Sequence, residues 1–159
     1  MSTADQERLD RLERRLRELE DDREIRQLVA SYGPAVDTGD AEATAALWTT
    51  DGSYDVGGME KPFVGAEAVG NLVTIPGHQG YLARGCAHVM SAPVIHVDGD
   101  RATANCYSRL YLHDDDHWVV ARVSSNRWEL ERTADGWRVA RRENRLLDGD
   151  EAARALLRP

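Results

Sequence analysis

The sequence predicts an α+β domain: helices first, then a long-stranded antiparallel sheet with mixed pairing that wraps the helices as a cone-shaped barrel. Three observations predict it. Apolar residues recur at helical spacing through the first 37 positions, and everything after Cys86 is β-rich with short turns. The strand-like segments also run well past ten residues, and strands of that length rarely stay flat. A curled sheet closed at one end by helices leaves a concave cavity, which is where function is expected.

Residues 4 to about 37 read as helix in two parts. The first is rich in Arg and Glu, with Leu9, Leu12, Leu16 and Leu19 forming a narrow apolar seam. The seam fits packing on its own domain or contact with another subunit. Asp21-Asp22 breaks the pattern, and Ile25, Leu28, Val29 and Tyr32 open a new face. Gly39 ends the helix, and Asp40 caps a short one from Ala41 to about Trp48. Ser53 to Val56 and Pro62 to Val64 read as short strands across the Gly57-Gly58 bend. Gly65 to Thr74 reads as a helix closed by Pro76-Gly77. The strands follow at 86–97, 101–113, 117–132 and 136–147, then a helical stub from Glu151 to Leu157. The expected organisation is a charged helix over 1–20, the cone domain over 21–148 and the stub over 149–159.

A chain of 159 residues with 42% hydrophobic and 30% charged residues fits one folded domain. Its 28 acidic against 20 basic residues give a net charge of −8, which argues against nucleic-acid and anionic-membrane partners. No apolar run is long enough to span a bilayer, and the charged start lacks a signal-peptide core, so the cytoplasm is the expected location. Two cysteines, Cys86 and Cys106, exclude a disulfide framework and fit small core residues better than nucleophiles.

Two residues carry the chemistry. Asp37 lies at the C-terminal end of the first helix, where the helix dipole disfavours a carboxylate and raises its pKa, which suits proton transfer. An exposed Asp in a polar turn fits the same position. His88 opens the first long strand, where alternation puts it on one face with Met90 and Val89 on the other. It fits either a buried structural histidine or a general base near its operating pH. Tyr32, Tyr54 and Trp48 fit the core, although a tyrosine hydroxyl aimed into a cavity polarises a carbonyl. Cross-strand pairs with Glu129, Glu131 and Glu143 account for most strand arginines, and Arg145 is the one expected to face the cavity. The His113–His117 run sits at a hairpin tip, cannot converge on an ion, and no metal site is expected. Neither a phosphate-cradling glycine loop nor a G-x-S-x-G nucleophile elbow is present.

Several stretches together resemble the SnoaL-like branch of the nuclear transport factor 2-like (cystatin-like) superfamily. They are Asp22 to Tyr32, Val36 to Asp40, Leu47 to Tyr54, Gly65 to Val69, His88 to Ala104, Trp128 to Leu130 and Gly136 to Arg141. By pattern the chain resembles the bile-acid and scytalone dehydratases, cofactor-free lyases with a His–Asp pair inside the cone. The resemblance implies general acid–base elimination or isomerisation of a hydrophobic, cyclic small molecule, without cofactor or metal. Polyketide cyclisation, epoxide hydrolysis and a non-catalytic ligand-binding or association role on the same fold stay open. Asp37 and His88 take the dyad positions, with Tyr32 and Tyr54 on the oxyanion or leaving group. Trp48, Met90, Tyr107, Tyr111, Asn126 and Arg145 are expected around the substrate. Tyr111 stands where the bile-acid enzymes carry an aspartate, a departure that touches the steroid substrate rather than the dyad. The resemblance also implies a homo-oligomer, a trimer before a dimer.

Overall fold

The computed structural model describes residues 2–158, so Met1 and Pro159, which end the expected first and last segments, lie outside the described residues. The first element is one helix, α1 (Thr3–Asp37), and not two parts. Ser2 and Asp5 form a reciprocal capping box at its start. Asp21 does not break it: the carboxylate turns inward and takes two hydrogen bonds from Arg132, both at 2.8 Å, and one from Trp137 Nε1 at 3.0 Å. Beyond Asp21 the helix buries Ile25, Leu28, Val29, Tyr32 and Val36. Before it, every residue from Ser2 to Glu20 is exposed, so the leucine seam is not buried in its own domain.

Asp40 caps α2 (Ala41–Ala45) through the Ala43 amide at 2.9 Å. Strand β1 (Trp48–Val56) starts earlier than expected, because Trp48 already pairs with Val139, and β2 is Phe63–Val64. Helix α3 (Ala66–Gly70) runs into a 3₁₀ turn at Asn71–Thr74. Pro76-Gly77, expected to close that helix, opens another, α4 (Pro76–Arg84), with proline in the first turn, where it has no lost hydrogen bond to make good.

The strand expected over 86–97 is two strands, β3 (Cys86–Met90) and β4 (Val94–Asp98), both antiparallel to β5 (Arg101–Asp114). The break falls at Ser91–Pro93, since proline has no amide to donate to the ladder. β6 (His117–Thr133), β7 (Gly136–Leu146) and α5 (Glu151–Ala155) complete the chain. The sheet order is β2-β1-β7-β6-β5-β3, with β4 also on β5. The β1–β7 pair is parallel and the rest antiparallel. The α+β class holds, but the sheet is not closed into a barrel. α1 and the aromatic side chains of the sheet enclose the core, with Tyr32, Trp48, Tyr54, Trp128 and Trp137 at its centre.

Candidate active site

Gly33 sets the distance between α1 and β3. A Cβ there would lie 2.1 Å from the His88 carbonyl oxygen, so only glycine lets the helix come so close to the strand. One turn on, Asp37 meets His88. Asp37 Oδ1 lies 2.6 Å from His88 Nδ1, Oδ2 accepts the His88 backbone N–H at 2.7 Å, and Cys86 Sγ donates to Oδ1 at 3.4 Å. Burial pushes the Asp37 carboxyl up, but the ring and backbone hydrogen bonds from His88 outweigh it and hold the group below its ordinary value. This corrects the raised pKa expected from the helix dipole. An ionised Asp37 fixes the hydrogen on Nδ1, so Nε2 is the basic nitrogen of His88.

His88 borders a cavity of about 240 Å³ among α1, β1, α4, β3 and the inner faces of β5–β7. Val56, Phe63, Leu72, Ile75, Met90 and Leu110 supply apolar wall. Tyr32 and Tyr54 also border it, and burial keeps the Tyr32 phenol protonated well past neutral pH. Val89, between His88 and Met90, is exposed on the opposite face.

Arg142 is the residue that sequence reasoning missed. It lines the cavity, is 1% exposed, and makes no ion pair with any described residue. Its guanidinium carbon sits 4.0 Å from the Tyr32 ring centre, 4.1 Å from Trp128 and 4.5 Å from Tyr54. Nε and Nη2 donate to Asn126 Oδ1 at 3.1 and 2.7 Å, while Nη1 has no partner. Three aromatic faces thus carry a charge that would otherwise be costly to bury.

Arg145, expected in this place, points away and pairs with Asp55 at 2.6 Å and Glu143 at 2.8 Å. The reason is a bulge: Glu129 pairs with Arg141 but Leu130 pairs with Val139, leaving Ala140 unmatched. Alternation from the buried Trp137 and Val139 would bring Arg145 inward; the extra residue flips it and brings in Arg142 and Asn144. Of the other expected substrate contacts, only Met90 lines the cavity. Trp48 is buried behind it against Tyr32 and Tyr54, and Asn126 lies beneath it, holding Arg142. Tyr107 and Tyr111 alternate with the buried Cys106, Ser108, Leu110 and Leu112 and so lie on the outer face.

His78, on the unexpected α4, was also missed. Its ring stacks on His88 with centres 5.6 Å apart, and its Nε2 donates to the Val36 carbonyl at 2.7 Å. Burial pushes its pKa down, so it stays neutral and adds no charge beside the dyad. Asp37, Cys86 and His88 present ligand atoms within 4.8 Å of one another, a spacing that one zinc-like ion could bridge. In the structure Asp37 Oδ1 accepts hydrogen bonds from both Cys86 Sγ and His88 Nδ1, and burial with the nearby Asp37 charge pushes the thiol up to about 11.

A SnoaL-like domain model matches residues 17–143, and the chain belongs to that family within the nuclear transport factor 2-like superfamily. It is a family of small-molecule-binding and often catalytic proteins that includes polyketide cyclases and isomerases. The chain is similar to a Novosphingobium aromaticivorans protein of nuclear transport factor 2-like, cystatin-like fold, at 47% identity and a TM-score of 0.92, over 95% of this chain and 97% of that one. It shares its fold with Aln2 of a Streptomyces species (16% identity, TM-score 0.70, 82% and 92% covered). It also shares it with a Catenulispora acidiphila protein solved in complex with S-DNPA (24% identity, TM-score 0.65, 76% and 90% covered). No curated protein matches the chain. Among the described residues, no helix is long and apolar enough to cross a membrane.

Proposed function

We propose that this protein is a cofactor-free acid–base enzyme, a lyase of the dehydratase type or an isomerase, acting on a compact hydrophobic cyclic molecule. The observation that carries the reading is the 2.6 Å Asp37–His88 pair at the wall of an apolar cavity that also holds the unpaired Arg142. His88 Nε2 takes a proton from a carbon next to a carbonyl, and Asp37 steadies the imidazolium that forms. The negative charge moves to the carbonyl oxygen, where Arg142 and a phenol from Tyr32 or Tyr54 stabilise it. The same imidazolium then returns its proton, to the leaving hydroxyl in elimination or to another carbon in isomerisation. Arg142 and the two phenols favour this oxyanion chemistry over a cavity that only holds its ligand. A cytoplasmic setting and a homo-oligomer, with the trimer first, belong to the same reading.

The test starts from ligands captured by native mass spectrometry on protein from its host, followed by turnover assays. Proton exchange at the carbon next to the ligand's carbonyl, lost in His88→Ala, is the expected result. Exchange that persists in that variant overturns the assignment of the base.

A further inference from the structure

The projecting half of α1 bears on assembly. Residues 2–20 are all exposed, and Leu9, Leu12, Leu16 and Leu19 are 43%, 50%, 56% and 67% exposed on a helix that continues unbroken into the domain. At about 100° per residue, this seam lies roughly 180° around the helix from the buried stripe of Ile25, Leu28, Val29, Tyr32 and Val36. The seam therefore faces away from its own domain, and a partner helix meets it without obstruction.

The flanking charges choose the partner. With Leu9 and Leu16 at a and Leu12 and Leu19 at d, Arg8 and Arg15 occupy g while Glu13 and Glu20 occupy e. In a parallel, in-register pairing of two copies, g of one helix faces the following e of the other. Arg8 then meets Glu13 and Arg15 meets Glu20, on both sides of the seam. An antiparallel pairing would set Arg against Arg and Glu against Glu. The seam is bounded at both ends: Asp5 stands at the preceding d position, and Arg23 and Arg26 stand at the next a and d. Arg26 is drawn back to its own domain by Asp22 at 2.6 Å and the Pro93 carbonyl at 3.1 Å.

We propose that residues 2–20 pair with the same segment of a second copy of this chain as a parallel, in-register coiled coil. Two heptads are marginal as free peptides because helix nucleation is costly. Here the nucleus is supplied by residues 21–37, already helical and packed in the domain. The g-to-e pairing is the same in two- and three-stranded parallel coils, and the particle mass gives the number of strands.

The test is light scattering on the full chain at micromolar concentration. The wild type is expected to give a multiple of 17.7 kDa, and Leu12→Asp with Leu16→Asp to give a smaller particle. Both leucines lie outside the packed domain, so an unchanged melting temperature of the dissociated chain checks that folding is intact. Arg15→Glu should weaken association about tenfold, and Arg15→Glu with Glu20→Arg should restore it. Leu9→Cys should give a disulfide-linked pair on mild oxidation, because the two residues 9 face each other only in the parallel register; antiparallel, they stand ~15 Å apart. A monomeric wild type, a mass indifferent to the aspartates, a swap no better than the single reversal, or no crosslink at residue 9 would each overturn the proposal.

Discussion

At the scale of single residues, the Asp37–His88 pair and Arg142 pull stability and catalysis in different directions. His88→Ala and Asp37→Asn are each expected to lower turnover by at least ~10²-fold, and the double variant to fall little further, since base and orienter act as one unit. A structural histidine predicts the reverse, a lower melting temperature with turnover retained. Asp37 also shapes the acid limb of stability. Its folded pKa lies below its unfolded value, so its contribution is complete above about pH 3.9 and fades as pH falls through the folded value. The melting temperature of wild type should therefore fall with acidification more steeply than that of Asp37→Asn, and the gap between the two should close as the carboxyl protonates, which a melting series on both proteins reads. Arg142 behaves oppositely. A buried cation without an anionic partner is expendable to the fold, so Arg142→Met should keep or raise the melting temperature while turnover collapses. A large loss of stability in that variant would mean that the three stacked rings need the guanidinium for packing rather than for chemistry.

At the scale of elements, the fold depends on where α1 is fastened. Asp21 is 7% exposed and bonded twice to Arg132, which also lies 4.5 Å over the Trp137 ring, so one side chain ties the helix to the far end of the β6–β7 hairpin. Arg132 holds the Asp21 carboxyl below its usual range. Asp21→Ala should cost about 2 kcal/mol, read as a melting temperature lower by roughly 4–8 °C. Arg132→Ala should cost a similar amount, and the pair together less than the sum. This clasp also marks the limit of what the sequence reveals. Asp21-Asp22 reads as a helix break because two adjacent acids are rarely buried, and nothing local announces a partner 111 residues away. Pro76 reads as a terminator when its first-turn position makes it an initiator, and that hid α4 and His78 with it. The positions of Asp37 and His88 were legible because each sits at a fixed place in an element, a helix end and a strand start. Arg142 was not, because one unmatched residue at Ala140 reverses the strand's faces, and a bulge leaves no mark in hydrophobic alternation this polar.

At the scale of the whole molecule, the charge of the chain and the charge of its cavity have opposite signs. The protein carries −8, yet Arg109, Arg122 and Arg142 line the cavity, and Arg142, fixed by Asn126 rather than by a carboxylate, stands beside the Tyr32 and Tyr54 rings. An anion therefore meets repulsion at a distance and attraction at close range. The two are separable by salt, because added ions screen the long-range field and reach a buried contact far less. A nitrophenol, whose absorbance reports its ionisation, tests this without any knowledge of the natural substrate. Bound in the cavity, its apparent pKa should fall, because Arg142 favours the phenolate. At a concentration 100 times its Kd it should also stabilise the fold by about 2.7 kcal/mol. Raising the ionic strength should speed association and leave dissociation almost unchanged. Arg142→Met should abolish the pKa shift while binding of the neutral phenol persists. If the bound nitrophenol keeps its free pKa in wild type, Arg142 is closed off from the ligand, and its part in holding the oxyanion is overturned.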